Sequence, residues 1–480
     1  MQTFRKPGFD EIYRTPKGML MATAMLSLSL TLPGCRRSES NEGAHERASH
    51  SNRDILLSLH GSNTIGAKMG PALARAYLMH LGADTVFQEN GATAEETYVH
   101  GRFGKGEKII EFWSYGSNTG FNDLAWGKCD IGMSSKPIDN QNVQRLAALG
   151  DMHSPANEHI IGLDGITIIV HPGNPIEELA VEKVAAIYSG RVKDWSEISG
   201  SLKGPITLYT RDKNSGTFDV FSHSVLGKEP LSESGVVCES NEKLASAVAG
   251  NPLGIGYAPV GTMQGDKALK IRSGDAIALS PSKVNIVTED YPLARRLFLY
   301  TPGAPNNAQV KPFIEFAQSE AGQLEVERSG FIAQILRLSK PEIRPQAPSR
   351  YLSEVKDALR MAIDFRFHPG SFDLDNKARQ DLGRLAHFLD HEQLRTCRLK
   401  LFGFCDSKGK ADRNYALSSE RAKVVAEALH GDFGIAPALV LGMGSALPIA
   451  SNETEGGREK NRRIEVWLQC SSDPTLAEQP

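Results

Sequence analysis

The sequence predicts an α/β protein in which a large two-lobed region precedes a smaller α+β domain of order βαβαββ. In residues 54–338, short apolar strands are repeatedly followed by loops rich in Gly, Ser and Thr and then by helical periodicity. Alternating strand and helix patterns return in residues 351–470. Between these regions, residues 339–350 include the run PEIRPQAP, which is typical of a semi-rigid linker between domains.

The first 53 residues have the composition of a targeting segment and a tether. A basic leader precedes an apolar stretch from Met19 to Leu32, which is shorter than the ~20 residues of a membrane span. The stretch ends in LPGC, which resembles the lipobox of bacterial lipoproteins, although Pro33 departs from its usual residue. The resemblance implies a signal peptide over residues 1–35, lipidation of Cys35 and transfer to the outer membrane. Ordinary cleavage, giving a soluble exported protein, is the alternative. Polar residues 36–53 predict a flexible tether.

Composition excludes several classes of function. The net charge of −3, from 54 basic and 57 acidic residues, gives no support for a nucleic-acid partner. The six cysteines form no CxxC pair, and the 13 histidines form no HExxH motif. We therefore expect neither a metal nor a cofactor. Export would place the chain where disulfides persist.

Loops at strand ends predict a binding pocket. The strand predicted at residues 206–209 is followed by Arg211 and by Ser215, which opens a helical pattern. Three further Gly/Ser/Thr segments of this kind occur at residues 61–66, 115–120 and 130–138. Any single loop of this kind is usually a helix cap. Four of them in one α/β region predict a shared site for a small oxyanion, with amides, hydroxyls and one guanidinium as donors.

The order of motifs in residues 54–338 resembles the phosphate-binding proteins of ABC importers. The segments that carry the resemblance are 61–64 (GSNT), 116–120 (GSNTG), 130–135 (DIGMSS), 187–190 (IYSG) with 194–195 (DW), Arg211 with 215–217 (SGT), and 254–257 (GIGY). The resemblance implies a type II periplasmic-binding-protein fold whose two lobes close on the ligand. The second lobe would cover about residues 166–257, and the strand at 254–258 would return to the first lobe.

The resemblance also implies a set of phosphate-binding residues. They are Ser62, Asn63, Thr64, Ser117, Ser135, Arg211, Ser215, Gly216 and Thr217. Ser135 stands where some receptors have an Asp that rejects sulfate, and Lys213 stands where an acid is common. Phosphate, another tetrahedral oxyanion and a loss of binding therefore all remain open.

Catalysis has weak support in the sequence. A hydrolase using Ser62 or Ser215 is a rival interpretation, but neither serine lies in a G-x-S-x-G elbow. Asp123 and Asp130 are candidate catalytic carboxylates. We expect instead that Asp123 lies in a solvated first turn and that Asp130 is a cap or hinge contact. No catalytic residue is predicted.

The C-terminal region resembles the OmpA-like peptidoglycan-binding domain. The carrying segments are 403–409 (GFCDSKG), Asn414, 417–418 (LS) with 421–422 (RA), and 461–463 (NRR). The resemblance implies that Asp406 binds the ammonium and Arg421 the carboxylate of diaminopimelate in the peptidoglycan stem peptide, with Asn414 and Arg462 nearby. Phe404 and Cys405 depart from the usual His and Thr. A helix is expected to open near Leu417 with Ser418 as its cap.

Within the same resemblance, the strands that begin at Cys397 and end at Cys470 would run antiparallel, which would allow a disulfide between them. Residues 471–480 are a tail.

We therefore expect a cell-envelope lipoprotein that captures an oxyanion, with an ABC permease as a further candidate partner. The rival is a structural anchor between outer membrane and peptidoglycan whose receptor region is degraded.

Overall fold

The computed structural model describes residues 54–213, 215–260, 265–340, 346–368, 371–391, 394 and 396–470. The predictions for the signal peptide, Cys35, the tether and the tail lie outside these residues. Among the described helices, none combines the length and the apolar character that crossing a membrane requires.

The secondary structure alternates as the sequence predicts. The strands are β1 Ile55–Gly61, β2 Thr85–Asn90, β3 Glu96–Phe103, β4 Gly106–Trp113, β5 Ile131–Ser134, β6 Glu158–Val170, β7 Glu178–Ala180, β8 Thr207–Arg211, β9 Val236–Cys238, β10 Gly254–Pro259, β11 Lys267–Ala268, β12 Lys270–Arg272, β13 Ala294–Tyr300, β14 Leu338–Ser339, β15 Leu359–Arg366, β16 Arg398–Gly403, β17 Leu439–Gly442 and β18 Arg463–Gln469. The helices are α1 Gly70–His80, α2 Ser117–Ala125, α3 Asn140–Leu146, α4 Val181–Tyr188, α5 Gly216–Phe221, α6 Asn241–Ala249, α7 Lys283–Val287, α8 Val310–Gln318, α9 Glu320–Arg328, α10 Ser349–Val355, α11 Asn376–Leu389, α12 Ala411–Phe433 and α13 Glu455–Asn461.

One large sheet runs through both lobes in the order β2-β3-β4-β1-β5-β13-β6-β10-β8-β9. The long strand β6 joins the lobes, because its first half pairs with β13 and its second half with β10. All of its residues are buried, as expected for a strand covered on both faces. The predicted two-lobed α/β architecture is confirmed.

The second lobe ends later than predicted. Strand β10 pairs with β6 and β8 inside this lobe, so it does not return the chain to the first lobe. The core of the second lobe still includes Leu293, and the chain then returns in β13. The apolar pattern predicted β10 correctly as a buried strand. The strands with which β10 pairs could not be predicted, because they are distant in the sequence.

The C-terminal domain has a separate sheet in the order β14-β15-β18-β16-β17. Its chain order contains the predicted βαβαββ series with one additional helix, α13, between the last two strands. The predicted start of the second helix was wrong. Helix α12 begins at Ala411, shortly after Gly409 with its positive φ of 99°, and Ser418 lies in the helix interior. Ser418 instead donates to the carbonyl of Tyr415 and accepts from the amide of Gly444.

The predicted disulfide between Cys397 and Cys470 is confirmed. Strands β16 and β18 are antiparallel, with Arg398 opposite Gln469, so the two cysteines lie next to each other at one end of the pair. Among the described residues, Cys129, Cys238 and Cys405 are buried free thiols.

The two domains share a charged interface beside the hinge. Arg296 of β13 binds Glu289 at 2.9 Å and Asp375 of the C-terminal domain at 2.8 Å. Arg366 of β15 donates to the carbonyl of Thr288 at 2.7 Å. Of the predicted linker, Ser339 pairs with Arg360 in the C-terminal sheet, and residues from 349 onward are helical. These contacts dock the domains directly against each other.

The interface is expected to weaken in acid through Glu289. Burial alone would raise the pKa of this carboxyl, but Arg296 and Arg366 lower it from 4.5 to about 2. Because the folded pKa lies below the unfolded one, the stabilisation is complete above pH 4.5 and is lost as the pH falls toward 2. Glu289→Gln is therefore expected to cost about 3 kcal/mol at neutral pH and to flatten the acid limb of the unfolding curve.

Thermal unfolding midpoints between about pH 2 and 7 measure this effect. The matched control is Glu427→Gln, at an exposed position on α12. If the melting temperature of Glu289→Gln fell at low pH as steeply as that of the unchanged protein, the assignment of this acid sensitivity to Glu289 would be wrong.

Candidate functional site

The loops of the first lobe meet at one edge of the large sheet. The amide of Ser62, after β1, donates to the carbonyl of Met133 at the end of β5, at 3.0 Å. The amide of Gly116, before α2, donates to the carbonyl of Gly61 at 2.8 Å. A Cβ at Gly61 would lie 2.2 Å from the Met133 oxygen, so only glycine permits this close approach. Three of the predicted loops therefore form one continuous surface.

The hydroxyls of Ser117 and Ser135 lie side by side on this surface. The amide of Ser135 donates to Ser117 Oγ at 3.2 Å, and the two Oγ atoms are 3.5 Å apart. The Asn63 Oδ1 atom would lie 3.9 Å from a Cβ placed at Gly116, so Asn63 adjoins the same loop. These predicted residues come together as the sequence indicated.

Ser62 carries a polar atom without a partner. Its side chain is 1% exposed, and among the described residues its Oγ makes no hydrogen bond. Buried hydroxyls in native proteins are almost always hydrogen-bonded, so an orphaned one needs an explanation. A ligand that accepts a hydrogen bond would satisfy it.

The second lobe reaches the same place through the start of α5. A Cβ at Gly216 would lie 3.2 Å from Thr64 Oγ1 and 3.4 Å from its Cα. Ser215 caps α5 by accepting from the amide of Phe218 at 3.0 Å, which leaves its hydroxyl proton free to be donated. Thr217 follows in the first turn and is half-buried. Both lobes thus contribute predicted residues to one region.

Arg211 lies at the predicted strand end, but its guanidinium bonds within its own lobe. Nε donates to the carbonyl of Cys238 and Nη2 to that of Glu239, each at 3.1 Å, while Nη1 donates to Asn241 Oδ1. All three acceptor groups are uncharged. The role of Arg211 as an anion ligand stays a prediction.

The carboxylates considered for catalysis make structural contacts. Asp123 is buried and binds His60 Nδ1 at 2.9 Å, so the expectation of a solvated first turn was wrong. Asp130 accepts from the amide of Ser58 at 2.9 Å and from Asn307 at 3.1 Å, a contact of the expected kind. In the described part of the chain, neither Ser62 nor Ser215 bonds to a base, so the nucleophile–base pair of a hydrolase is missing.

The predicted peptidoglycan site is assembled on the C-terminal domain. Asp406 Oδ2 accepts from Arg462 at 3.0 Å, and Oδ1 accepts from the amide of Lys408 at 2.9 Å. The Asn414 side chain donates to the backbone carbonyl of Asp406 at 3.3 Å. Burial raises the pKa of the adjacent Cys405 thiol to about 11, so this cysteine is an uncharged residue beside Asp406 at neutral pH.

Arg421 faces this site, and no described carboxylate forms an ion pair with it. Its side chain is buried, its Nε makes no hydrogen bond among the described residues, and its guanidinium lies 5.5 Å from the ring of Phe367 and 5.6 Å from that of Phe372. Burial and the positive charge of Arg462 lower the pKa of Arg421. A buried, unpaired cation of this kind favours an anionic ligand.

Comparison with known proteins identifies both parts of the chain. The profile described as "PBP superfamily domain" matches residues 108–321, and that of the OmpA family matches residues 366–462. The chain joins a PBP-superfamily domain to an OmpA-family domain. The two resemblances recognised in the sequence are thereby confirmed.

Curated relatives match the PBP domain. Protein SphX of Synechococcus elongatus is 28% identical over 271 residues, which cover 54% of this chain and 77% of the relative. The phosphate-binding protein PstS of Staphylococcus aureus is 27% identical over 281 residues, covering 54% of this chain and 79% of the relative. The PstS name denotes binding and no reaction, in agreement with the prediction that this chain is not an enzyme.

Solved structures also resemble the PBP domain. An ABC-type phosphate transport receptor from Vibrio cholerae is 22% identical, with a TM-score of 0.45, covering 57% of this chain and 99% of that chain. PstS from Borrelia burgdorferi is 21% identical, with a TM-score of 0.44, covering 58% of this chain and 99% of that chain.

Sequence reasoning missed one charged residue that contacts the predicted anion ligands. Arg295 of β13 is 231 residues away from Thr64 in the chain, yet its Nη2 donates to Thr64 Oγ1 at 2.9 Å. No local motif marks this arginine. The only available signal was an Arg-Arg pair at the start of an otherwise apolar strand.

Proposed function

We propose that the PBP domain binds inorganic phosphate between its two lobes and that the OmpA domain binds peptidoglycan. The observation that carries the first half is that loops from both lobes meet at Thr64, two residues from Ser62, whose buried hydroxyl has no partner among the described residues. The names of the relatives from Staphylococcus aureus support phosphate as the anion.

The proposed ligand contacts are donors. Ser62, Thr64, Ser117 and Ser135 would offer hydroxyls, and Asn63 would offer its amide groups. From the second lobe, Ser215, Gly216, Thr217 and Arg211 would complete the shell. Donors that replace the water shell of a tetrahedral anion need no covalent chemistry, so capture is the expected activity.

The anion site is expected to discriminate weakly between phosphate and sulfate. A carboxylate accepts the proton of phosphate and repels sulfate, which carries no proton. Position 135 supplies a hydroxyl instead, which can donate to either anion.

The OmpA domain offers complementary charges for an amino acid. Arg421 would bind the carboxylate of diaminopimelate, and Asp406 would bind its ammonium while remaining bonded to Arg462. The Asp406 carboxylate has enough lone pairs to accept from both Arg462 and the ammonium. Asn414 would hold the Asp406 loop in place.

We place the protein in the cell envelope as a lipoprotein of the outer membrane, anchored through Cys35. The lipobox-like LPGC supports the lipid anchor, and Arg36 follows it where, in lipoproteins of this kind, an Asp favours retention in the inner membrane. A receptor held by both membrane and wall would not diffuse freely to an ABC permease. Sensing, storage or handing over of phosphate therefore fits this architecture better than the role of a mobile importer subunit.

One observation favours a second candidate function, a structural anchor with an inactive receptor. Each guanidinium nitrogen of Arg211 donates one hydrogen bond within its own lobe, to Cys238, Glu239 or Asn241. In that case the PBP domain would bind neither anion.

Isothermal titration of residues 54–480 with phosphate and with sulfate decides between the two. The proposed function predicts saturable heat with phosphate and an affinity for sulfate within about tenfold of it. Absence of heat with both anions would favour the anchor.

A further inference from the structure

Arg295 occupies the centre of the region where the lobes meet. It lies on β13 opposite Asp164 of β6, at the point where β6 changes its partner from β13 to β10. Its side chain is 11% exposed. A charged group at this place is fixed by the two strands that connect the lobes.

The guanidinium of Arg295 contacts three of the converging segments. Nη2 donates to Thr64 Oγ1 at 2.9 Å, in the loop after β1. Nη1 donates to the carbonyl of Ser135 at 3.3 Å, in the loop after β5. Nη1 also lies 3.8 Å from Asp219 Oδ2, on α5 of the second lobe.

Arg295 and Arg211 therefore differ in what they can do for an anion. Arg211 directs all three of its nitrogens at its own lobe. Arg295 touches two residues of the predicted donor set, Thr64 and Ser135. The guanidinium that contacts the loops of the first lobe is thus that of Arg295.

We infer that Arg295 supplies the fixed positive charge of the anion site and positions Thr64 for the ligand. This inference rests on the proposed function of the PBP domain. Because an N–H group of Arg295 occupies a lone pair of Thr64 Oγ1, the hydroxyl proton of Thr64 is left to donate to the anion. Arg295 thus has two roles. Its hydrogen bond orients the Thr64 hydroxyl, and its positive charge attracts the anion.

The carboxylates around Arg295 explain how an arginine can stay there in the absence of a ligand. Asp164 Oδ2 accepts from Nη2 at 3.2 Å, and Asp164 Oδ1 accepts from the amide of Gly165 at 2.8 Å. Asp219 is exposed and its contact with Nη1 is longer. An anion bound between the lobes would compete with Asp219, the weaker partner, and leave the Asp164 pair intact.

The test compares phosphate binding by four variants in isothermal titration. Arg295→Gln keeps a donor for Thr64 but removes the charge, and Arg295→Lys keeps the charge. The double variant Arg295→Gln/Asp164→Asn removes the charge without leaving Asp164 unpaired, so it is expected to fold even where the single variant does not. Arg211→Gln serves as the comparison, and thermal unfolding without ligand reports the fold.

We expect the neutral double variant to bind phosphate about 30-fold more weakly than the unchanged protein, with Arg295→Lys recovering part of the loss. Arg211→Gln should lose less than Arg295→Gln. If the role of Arg295 were purely structural, Arg295→Lys would recover phosphate affinity only to the extent that it recovers the melting temperature.

Two results would overturn the inference, and they are distinguishable. If the unchanged protein and the folded double variant bound phosphate within about threefold of each other, the inference alone would be wrong. If the unchanged protein gave no heat with phosphate or sulfate, the proposed function would be wrong and the inference would fall with it.

Discussion

Replacement of Arg421 by alanine is expected to weaken binding of the protein to peptidoglycan sacculi about 100-fold. Arg421 is buried, its guanidinium lies 5.5 Å and 5.6 Å from the rings of Phe367 and Phe372, and its Nε has no partner among the described residues. Removing one member of a buried charge pair costs a complex several kcal/mol, because the other charge is left unpaired. Under the proposed function, the charge left unpaired in the variant would be the carboxylate of the stem peptide.

Cosedimentation with purified sacculi measures this loss. Arg413→Ala is the matched control, since Arg413 is exposed on the same helix, α12. Removing an unpaired buried cation is not expected to lower the melting temperature by more than a few degrees. Retention of sacculus binding by a folded Arg421→Ala protein would contradict the assignment of the carboxylate to Arg421.

Replacement of Gly216 by valine is expected to weaken phosphate binding by about 30-fold or more. Already the first atom of a side chain at this position would lie 3.2 Å from Thr64 Oγ1 and 3.4 Å from Thr64 Cα. The two further methyl groups of valine are expected to push Thr64 and α5 apart. A wedge at this point would separate the donors of α5 from those of the loop after β1, and both sets are needed around one anion.

Gly200→Val is the control for this experiment. Gly200 lies in the same lobe, and no neighbouring group would come within 4 Å of a Cβ added there, so valine should change neither affinity nor fold. Titration with phosphate gives the affinity, and small-angle scattering reports the separation of the lobes. Unchanged affinity in Gly216→Val would mean that the anion does not bind between Thr64 and α5.

The docking of the two domains gives the cleft a defined orientation relative to the OmpA domain. The C-terminal domain touches the first lobe, where Asn376 donates to the carbonyl of His153 at 2.9 Å. It also touches the second lobe, where the amide of Ser451 donates to Ser273 Oγ at 3.2 Å. Because the C-terminal domain contacts both lobes, and also Arg296 of β13, we expect it to restrain lobe motion more than a flexible linker would.

The features that depend on neighbours in the chain could be predicted before the fold was known. Periodicity marked the strands and helices, and glycine-rich loops marked the strand ends, while the resemblance to the OmpA-like domain indicated Asp406 and Arg421. The start of α12 was misplaced, because caps define helix boundaries poorly when tertiary contacts extend the element.

Which charges meet could be learned from the folded chain alone. Arg295 reaches Thr64 because β13 inserts between β5 and β6, a pairing that brings together residues more than two hundred positions apart. Asp123 becomes buried because α2 places it against His60 of β1. Local sequence specifies the backbone path of each element, whereas the partner of a buried charge is chosen by strand order, and strand order is a property of the whole chain.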